Sequence, residues 1–303
     1  MSTLAVIDIG TNSTNLLVTD GTRDLARVIR VTRLGEGLHA SGRLGDDAMQ
    51  RTVDTVESHV GTARSLGAHD VIITGTEACR RASNVTEFAA SVLARAGTAL
   101  EVLSPEQEAH LAFTGALRGL PRIAGNTLVV DIGGGSTELT VGVDEPWRSV
   151  SIPVGAVTAT ESDLVTDPPR PEDLTNVIGA VQDELEEVGR EIPELLTAQR
   201  TVGIAGTIVT VAAVEIGLAE FDEQRLHGFV LTRDAAEDVF RTLATENRAQ
   251  RVLNPGLPAD RADVIVAGCC ILVGTMRRLH LEEMTVSTRS LMDGIALRGR
   301  LAP

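Results

Sequence analysis

Two short segments of the chain share a pattern that is typical of phosphate binding. Asp8-Ile9-Gly10-Thr11-Asn12-Ser13-Thr14 recurs as Asp131-Ile132-Gly133-Gly134-Gly135-Ser136-Thr137. In each copy an apolar run ends in the aspartate, and a turn rich in glycine and hydroxyl side chains leads into a second apolar run. This pattern predicts a β-hairpin whose turn offers backbone N–H groups and hydroxyls to an anion. Two copies predict two homologous halves that act on a shared phosphate.

The acidic residues beside these turns suit a divalent cation. Asp8 and Asp131 each end a predicted strand, where a carboxylate can hold a metal ion or a metal-bound water next to phosphate oxygens. Glu138 begins the return strand, so Asp131 and Glu138 form a candidate magnesium pair. An Asx turn that only satisfies its own loop is the structural alternative for a single aspartate. The duplication favours the functional interpretation.

The turns themselves supply the predicted phosphate ligands. Three consecutive glycines allow backbone amides to approach an anion with no Cβ in the way. A glycine-rich bend is the structural alternative, although it weakens a strand. The turn residues expected to contact phosphate are Ser13, Thr14, Gly133, Gly134, Gly135, Ser136 and Thr137.

Three further segments each have two open interpretations. Arg80-Arg81 follows a buried strand and a Gly-Thr turn, where guanidinium groups can bind phosphate, but a surface pair is equally consistent. Gly206-Thr207 enters a helix after a strand, as a third backbone-amide site or as close strand–helix packing. Glu106 and Glu108 lie in the first turn of a helix that Ser104 caps. Their spacing alone favours capping and dipole complementarity over chemistry.

Composition narrows the classes of protein. The 303-residue chain carries a net charge of −15 and only 2% aromatic residues, which argues against nucleic-acid or membrane-surface binding. All 27 basic residues are arginine, so phosphate must be held by arginine, backbone or metal. Three cysteines are too few for a disulfide framework. With no leader pattern and no apolar run of membrane length, we expect a cytoplasmic protein.

Strands alternate with helices in two similar halves, which predicts an α/β fold with helices covering mixed sheets. The pattern predicts strands at 4–19 (two strands and a turn), 71–74, 101–103, 127–131, 137–143, 148–153, 201–205 and 284–287. It predicts helices at 46–66, 85–96, 105–117, 155–164, 172–191, 208–217, 234–246, 261–278 and 289–299.

Taken together, these segments resemble the exopolyphosphatase/guanosine pentaphosphate phosphatase family of the actin/Hsp70/sugar-kinase superfamily. The resemblance covers essentially the whole chain and rests on the two turns and on Gly75–Arg80, Ser104–Ala109, Gly206-Thr207, Leu226–Gly228 and Arg261–Asp263. It implies two actin-like (ribonuclease H-like) domains with an active cleft between them. The expected domains are 1–125 and 126–303, with the closing helix at about 289–303 packing on the first.

The resemblance also assigns roles. Glu108 takes the position of the catalytic carboxylate and becomes a general base, and Asp131 and Glu138 take metal and catalytic positions. The residues that fall where the family binds terminal phosphates are Asn12, Ser13, Arg80, Gly133 to Ser136, Gly206 and Thr207. The implied reaction is Mg²⁺- or Mn²⁺-dependent release of inorganic phosphate from polyphosphate, with short chains as the expected substrate.

Other functions fit parts of the pattern. Guanosine pentaphosphate (pppGpp), a molecule of the stringent response, is the alternative substrate. A sugar or acetate kinase would share the two turns, but the helix that starts before Glu108 disfavours it. A non-catalytic, actin-like protein that binds polyphosphate or nucleotide is a different class, which the set of Glu108, Asp131 and Glu138 disfavours.

Two positions of this chain depart from the family pattern. Arg81 stands where the family is commonly acidic, and Thr158 stands where an arginine is frequent. Both bear on polyphosphate affinity and chain-length preference.

A homodimer is consistent with the resemblance, because the family often pairs through its second domain. The apolar helix expected at 261–278 is then a contact surface or, as we favour, part of the core.

Overall fold

The computed structural model describes residues 3–301. The strands are β1 (Leu4–Ile9), β2 (Ser13–Thr19), β3 (Asp24–Val31), β4 (Asp70–Gly75), β5 (Leu100–Val102), β6 (Thr127–Ile132), β7 (Thr137–Gly142), β8 (Pro146–Ile152), β9 (Arg200–Ile204), β10 (Val230–Thr232) and β11 (Glu283–Val286). The helices are α1 (Leu38–Ser41), α2 (Asp46–Ser65), α3 (Glu77–Arg81), α4 (Val85–Ala96), α5 (Pro105–Ala116), α6 (Ala156–Ser162), α7 (Pro171–Glu191), α8 (Ala205–Ile216), α9 (Glu223–Leu226), α10 (Arg233–Thr245), α11 (Arg248–Arg251), α12 (Ile265–Arg278) and α13 (Leu291–Leu301), with 3-10 helices at Pro193–Thr197 and Ala259–Arg261.

The chain divides into two compact units. Unit 1 comprises Met1–Gly115 and Leu291–Pro303, and unit 2 comprises Ala116–Ser290. The division therefore falls before residue 116, where the sequence places it at 125. Each unit has a mixed sheet of its own, in the order β3-β2-β1-β4-β5 in unit 1 and β10-β11-β9-β6-β7-β8 in unit 2.

The duplicated segments form the same hairpin in both units. β1 pairs antiparallel with β2, which places Asp8 opposite Asn15. β6 pairs antiparallel with β7, which places Asp131 opposite Glu138. The first strand of each hairpin also pairs with a parallel strand on its other side: β1 pairs with β4, and β6 pairs with β9. The internal repeat in the sequence is thus a repeat of structure, register included.

Burial on both faces explains the apolar runs of the central strands. Every residue of β1 is buried, and side chains alternate between the two faces of the sheet. Ala5, Ile7 and Ile9 belong to a core cluster shared with α2 and α4. Asp8 lies on the opposite face, so its carboxyl is placed by the strand register and not by the surrounding loop.

The closing helix α13 belongs to unit 1. Asp293 is fully buried, and its Oδ1 accepts a hydrogen bond of 2.8 Å from Arg27 Nη2 on β3. A Cβ at Gly294 would lie 1.9 Å from the carbonyl oxygen of Leu111 on α5, so the two helices approach at backbone distance. Helix α13 is therefore held by a buried ion pair and by close packing.

Unit 2 is built around α12. All residues from Ile265 to Met276 are buried, so the apolar stretch is accounted for by the core of this unit. The helix begins at Ile265 and not at 261, because Ala259–Arg261 form a separate 3-10 turn. No helix within residues 3–301 combines the length and apolar character that a membrane span requires.

Candidate active site

The turn of unit 1 is fixed by its backbone. Gly10 N–H donates to the Ser13 carbonyl at 2.9 Å, which closes the turn. The Asn12 carbonyl accepts from the backbone N–H groups of Thr32 and Arg33 at 3.0 and 2.9 Å. The side chains of Asn12 and Ser13 are half-buried and make no hydrogen bond within residues 3–301. They are therefore available to an incoming anion.

The two threonines expected to contact phosphate have internal partners instead. Thr14 is fully buried, and its hydroxyl lies 2.9 Å from the hydroxyl of Thr32. Thr137 is also fully buried and donates to the Val154 carbonyl at 2.7 Å. Each threonine lies near the start of its return strand, where it pairs with the last residue of the preceding strand: Thr14 with Ile9 and Thr137 with Ile132. We therefore assign Thr14 and Thr137 to fixing the turns.

Asp8 is a buried carboxyl with a high pKa. It is 8% exposed, and Thr74 Oγ1 lies 3.4 Å from its Oδ1. Burial, and secondly the negative charge of Glu108, raise the pKa of Asp8 to about 7; hydrogen bonds from Asn15 and Thr74 only partly oppose this. At the paired positions of the two hairpins, unit 1 carries Asp8 and Asn15, whereas unit 2 carries Asp131 and Glu138.

Arg80 connects the acidic groups of unit 1. It lies on the five-residue helix α3, which follows β4 directly. Its Nη1 donates to Glu108 Oε2 at 2.5 Å and to the Leu103 carbonyl at 3.0 Å, while Nη2 donates to Glu77 Oε2 at 3.0 Å. Arg80 is thus no free surface arginine but the centre of a cluster, and Glu77 is a member that sequence reasoning did not assign.

Glu106 and Glu108 have different roles in α5. Ser104 Oγ accepts from Gln107 N at 3.2 Å and donates to Glu106 Oε2 at 2.8 Å, so Glu106 takes part in capping. Glu108 turns to Arg80 instead. Burial raises the pKa of Glu108, while the charge and the hydrogen bond of Arg80 oppose that rise. The result is a carboxylate that is more basic than usual yet held beside a cation.

The glycine turn of unit 2 is packed against the start of α6. Gly133 N–H donates to the Ser136 carbonyl at 3.0 Å, as in unit 1. The Gly133 and Gly134 carbonyls accept from Ala156 N and Val157 N at 2.9 and 2.8 Å. A Cβ at Gly155 would lie 2.4 Å from the Gly134 oxygen. These contacts hold the carbonyls of the turn on the side of α6.

Glu138 is oriented by two serines. Ser136 Oγ donates to Glu138 Oε1 at 2.5 Å, and Ser151 Oγ of β8 donates to the same oxygen at 3.0 Å. Since Asp131 is the register partner of Glu138 on the neighbouring strand, the two carboxyl groups start from adjacent backbone positions. Ser151 is a member of the site that sequence reasoning missed, because it lies on a different strand.

The chemistry of this pair fits a magnesium or manganese ion. Carboxylate oxygens are the ligands such hard cations prefer, and Mg²⁺ commonly uses one or two carboxylates together with water and substrate phosphate. Within residues 3–301 no group of three acidic, histidine or cysteine side chains could enclose a metal ion. A metal ion bound by Asp131 and Glu138 would therefore need water or substrate oxygens to complete its coordination.

Gly206 and Thr207 lie in the first turn of α8, which begins at the same edge of the sheet as Asp131. β9 pairs with β6 so that Ile204 lies opposite Asp131. Ala205 follows with a positive φ of 66°, a left-handed conformation that costs energy for a residue other than glycine. A Cβ at Gly206 would lie 1.8 Å from Nη1 of Arg261. The absence of a side chain at Gly206 makes room for that guanidinium group.

Arg261 is the main residue of this region that sequence reasoning did not assign. Its guanidinium makes no hydrogen bond or ion pair within residues 3–301, and burial lowers its pKa. It lies against the first turn of α8, whose N–H groups are not capped by a side chain. Thr207 is 6% exposed and packs on Gly268, so its side chain takes part in close helix packing.

The two positions that depart from the family pattern have local partners. Arg81 Nη1 lies 3.8 Å from Glu77 Oε1, and its Nη2 lies 3.4 Å from His39 Nδ1. Thr158 Oγ1 accepts from Gly155 N at 3.0 Å, which caps α6. Thr158 thus supports the helix that packs against the glycine turn.

Two duplicated hairpins on mixed sheets, each with an aspartate near the strand end and a turn rich in glycine and hydroxyl side chains, define an α/β protein of the actin-like class. A model described as the Ppx/GppA phosphatase family matches residues 12–301. The chain therefore belongs to the Ppx/GppA phosphatase family.

Individual relatives agree with this membership. Exopolyphosphatase 2 of Mycobacterium tuberculosis (strain ATCC 25618 / H37Rv) is 33% identical, over 98% of both chains. A guanosine-5'-triphosphate,3'-diphosphate pyrophosphatase of Aeromonas salmonicida (strain A449) is 29% identical over 96% of this chain but 58% of its own length. The crystal structure of an exopolyphosphatase from Cytophaga hutchinsonii ATCC 33406 has a TM-score of 0.91 at 26% identity, over 98% of this chain and 97% of its own.

These matches confirm three expectations from the sequence: the family, the α/β fold with two mixed sheets, and the enzyme class of phosphoanhydride hydrolases.

Proposed function

We propose that this protein is an exopolyphosphatase that releases terminal inorganic phosphate from polyphosphate, preferentially from short chains. The observation that carries the choice of substrate is the degree of similarity. The chain is 33% identical to an exopolyphosphatase over 98% of both chains, and 29% identical to a guanosine-5'-triphosphate,3'-diphosphate pyrophosphatase over 96% of this chain.

Unit 2 binds the terminal phosphoryl group in this proposal. Its ligands are the glycine turn Gly133–Ser136, the start of α8 at Gly206 and the guanidinium of Arg261. Arg261 is included because its guanidinium lies on the uncapped helix start and makes no hydrogen bond or ion pair within residues 3–301. Backbone amides and a planar guanidinium together suit the three oxygens of a terminal phosphate.

Asp131 and Glu138 would hold a magnesium or manganese ion. When bound, such an ion supplies charge neutralisation for the terminal and penultimate phosphates. The hydroxyls of Ser136 and Ser151 fix the orientation of Glu138, which keeps one carboxylate oxygen engaged and directs the other. Asp8 stays a predicted third ligand. Its pKa of about 7 makes it a poorer ligand at neutral pH than an ordinary aspartate.

Glu108 is the proposed general base. It takes a proton from the attacking water as the water oxygen bonds to the terminal phosphorus and the bridging P–O bond breaks, which yields inorganic phosphate and a shortened chain. The transition state is loose, so dispersal of charge matters more than a strong nucleophile. The charge and the hydrogen bond of Arg80 favour the ionised form of Glu108, while burial raises its pKa and makes the carboxylate more basic. Asn12, Ser13 and Arg80 stay predicted phosphate ligands.

The preference for short chains follows from charge. The protein carries a net charge of −15 and has no lysine, so a long polyanion meets repulsion outside the site itself. Each added phosphate beyond those bound by the turns contributes more repulsion than attraction. We therefore expect the specificity constant to fall with chain length.

Phosphate release across substrates tests the proposal. The purified protein, with Mg²⁺ and separately with Mn²⁺, is incubated with tripolyphosphate, polyphosphates of increasing length, pppGpp and ATP. We expect release from polyphosphate, fastest with the short chains. Faster release from pppGpp than from every polyphosphate would favour the pyrophosphatase assignment. Binding of polyphosphate without release from any substrate would identify a sensor and overturn the proposal.

A further inference from the structure

Arg251 is a buried arginine on the four-residue helix α11 that contacts the segment carrying Arg261. It is 4% exposed. Its Nη1 donates to the Ala262 carbonyl, directly after Arg261, at 2.9 Å. Its Nη2 is paired with the carboxylate of Asp167. A buried guanidinium that bonds a backbone carbonyl fixes that part of the chain, because losing the contact leaves both groups unsatisfied.

Arg248, on the same helix, holds the other end of the segment. Its Nη2 donates to the Ala259 carbonyl at 3.3 Å, and its Nε donates to Asp263 Oδ1 at 2.6 Å. Its backbone N–H donates to Asp167 Oδ2 at 2.7 Å. The 3-10 turn is thus held on both sides of Arg261 by two arginines, and Asp167 joins those arginines to each other.

Packing alone does not hold this network. Arg248, Arg251, Asp167 and Asp263 line a cavity of about 250 Å³. A side chain next to a cavity lacks neighbours on one side, so its position depends on its polar contacts. The hydrogen bonds of Arg248 and Arg251 to the carbonyls of Ala259 and Ala262 therefore help to keep the Ala259–Arg261 turn in place.

We propose that Arg251 is a positioning residue for Arg261, and that it acts by fixing the backbone on which Arg261 stands. The inference rests on the proposed function, since that function gives Arg261 its role on phosphate. Because the Arg261 guanidinium has no hydrogen-bonding partner within residues 3–301, no hydrogen bond of its own fixes it beside Gly206. The backbone sets its place, and a displacement of 1 Å in a positioning group is enough to lower a rate about 100-fold.

A double-mutant cycle with Arg251→Met and Arg261→Met tests the proposal. KM and kcat for tripolyphosphate are measured for the wild type, both single variants and the double variant. If Arg251 acts through Arg261, each single variant raises KM about tenfold, and the double variant is no worse than Arg261→Met alone. Arg251→Lys retains a donor to the Ala262 carbonyl and should recover part of the loss. Additive effects would overturn the proposal.

Arg241→Met is the matched control. Arg241 is an exposed arginine of α10 in the same unit and pairs with Glu237 and Asp238 on its own helix. This variant should keep the KM of the wild type. If Arg251→Met fails to fold, Arg248→Gln replaces it in the cycle, because Arg248 is half-exposed and contacts both sides of the turn.

A structural readout separates this inference from the proposed function. A crystal structure of Arg251→Met should show the Arg261 guanidinium displaced from Gly206, whatever the substrate is. An Arg261 that stays against Gly206 overturns the positioning role. If the wild type turns over no polyphosphate, the proposed function fails, and the same four-variant cycle is run on tripolyphosphate binding by calorimetry.

Discussion

Glu108 Oε2 lies 2.5 Å from Arg80 Nη1, so the proposed base and a proposed phosphate ligand form one ion pair. Glu77 binds the other terminal nitrogen of the same guanidinium at 3.0 Å. Two carboxylates thus share one arginine, and a phosphate oxygen that approaches Arg80 competes with both. The pair links phosphate binding to the state of the base.

Glu108→Gln should abolish turnover without abolishing binding. The amide oxygen of glutamine can still accept the hydrogen bond from Arg80, so the cluster persists, but glutamine takes no proton from water. We expect phosphate release to fall by about 10²–10⁴-fold, which is the usual contribution of a general base. Calorimetry with tripolyphosphate should give an affinity close to that of the wild type. Glu106→Gln, on the same helix turn, should keep full activity; near-normal turnover in Glu108→Gln would refute the role.

The sequence predicted the parts of this site that local pattern controls. Both hairpins and the long helices α2, α4 and α7 lie within a residue of their predicted bounds, because their apolar periodicity extends over several turns. Helix α3 was not predicted, since its five residues are too few to show a period. Its position nevertheless decides where Arg80 lies.

Contacts between residues that lie far apart in the chain could not be predicted from the sequence. Arg80 and Glu108 form an ion pair although they lie 28 residues apart in the chain, and Arg261 lies against Gly206 from a different part of unit 2. Neither contact has a spacing rule in the sequence. Gly206 itself was the signal available in the sequence, because a glycine can mark a position where a neighbouring group leaves no room for a Cβ. The structure was needed to identify that neighbour as Arg261.

Ser151→Ala should weaken metal binding. The substitution removes one of two hydroxyls that donate to Glu138 Oε1, and loss of such a supporting contact typically lowers metal affinity 10–100-fold. Because Ser151 is exposed, we expect about tenfold. Mn²⁺ binding by calorimetry and the Mg²⁺ concentration for half-maximal activity should both shift. Ser149→Ala on the same strand is the control, and equal metal affinity in both variants would argue against the Glu138 site.

Gly155→Ala should disrupt the glycine turn. The backbone at Gly155 (φ −128°, ψ 165°) is open to alanine, so any effect is steric: the new Cβ would lie 2.4 Å from the Gly134 oxygen. We expect α6 to move off the turn, with a loss of about 1–3 kcal/mol in the free energy of unfolding. The KM for tripolyphosphate should rise at least about tenfold. Urea unfolding and steady-state kinetics measure the two effects.

Gly179→Ala is the matched control for that substitution. Gly179 lies inside α7, and a Cβ there meets nothing within 4 Å. Alanine in a helix interior is favoured over glycine by about 0.5–1 kcal/mol, so this variant should be slightly more stable and equally active. If Gly155→Ala behaves in the same way, the turn does not depend on its contact with α6.

Asp8→Asn should change how stability depends on pH. Burial, and then the charge of Glu108, raise the pKa of Asp8 from 3.8 to about 7. Between these values the folded protein holds a proton that the unfolded chain has released, so the contribution of Asp8 is fully present below about pH 4 and is lost as the pH rises through 7. Asparagine cannot ionise and avoids this loss. Urea unfolding of both proteins should therefore show the variant gaining on the wild type by about 4 kcal/mol between about pH 4 and pH 8. In a Glu108→Gln background the gain should be complete at a lower pH, because one cause of the raised pKa is gone. A free-energy difference that stays constant across this range would show that Asp8 ionises normally in the folded protein.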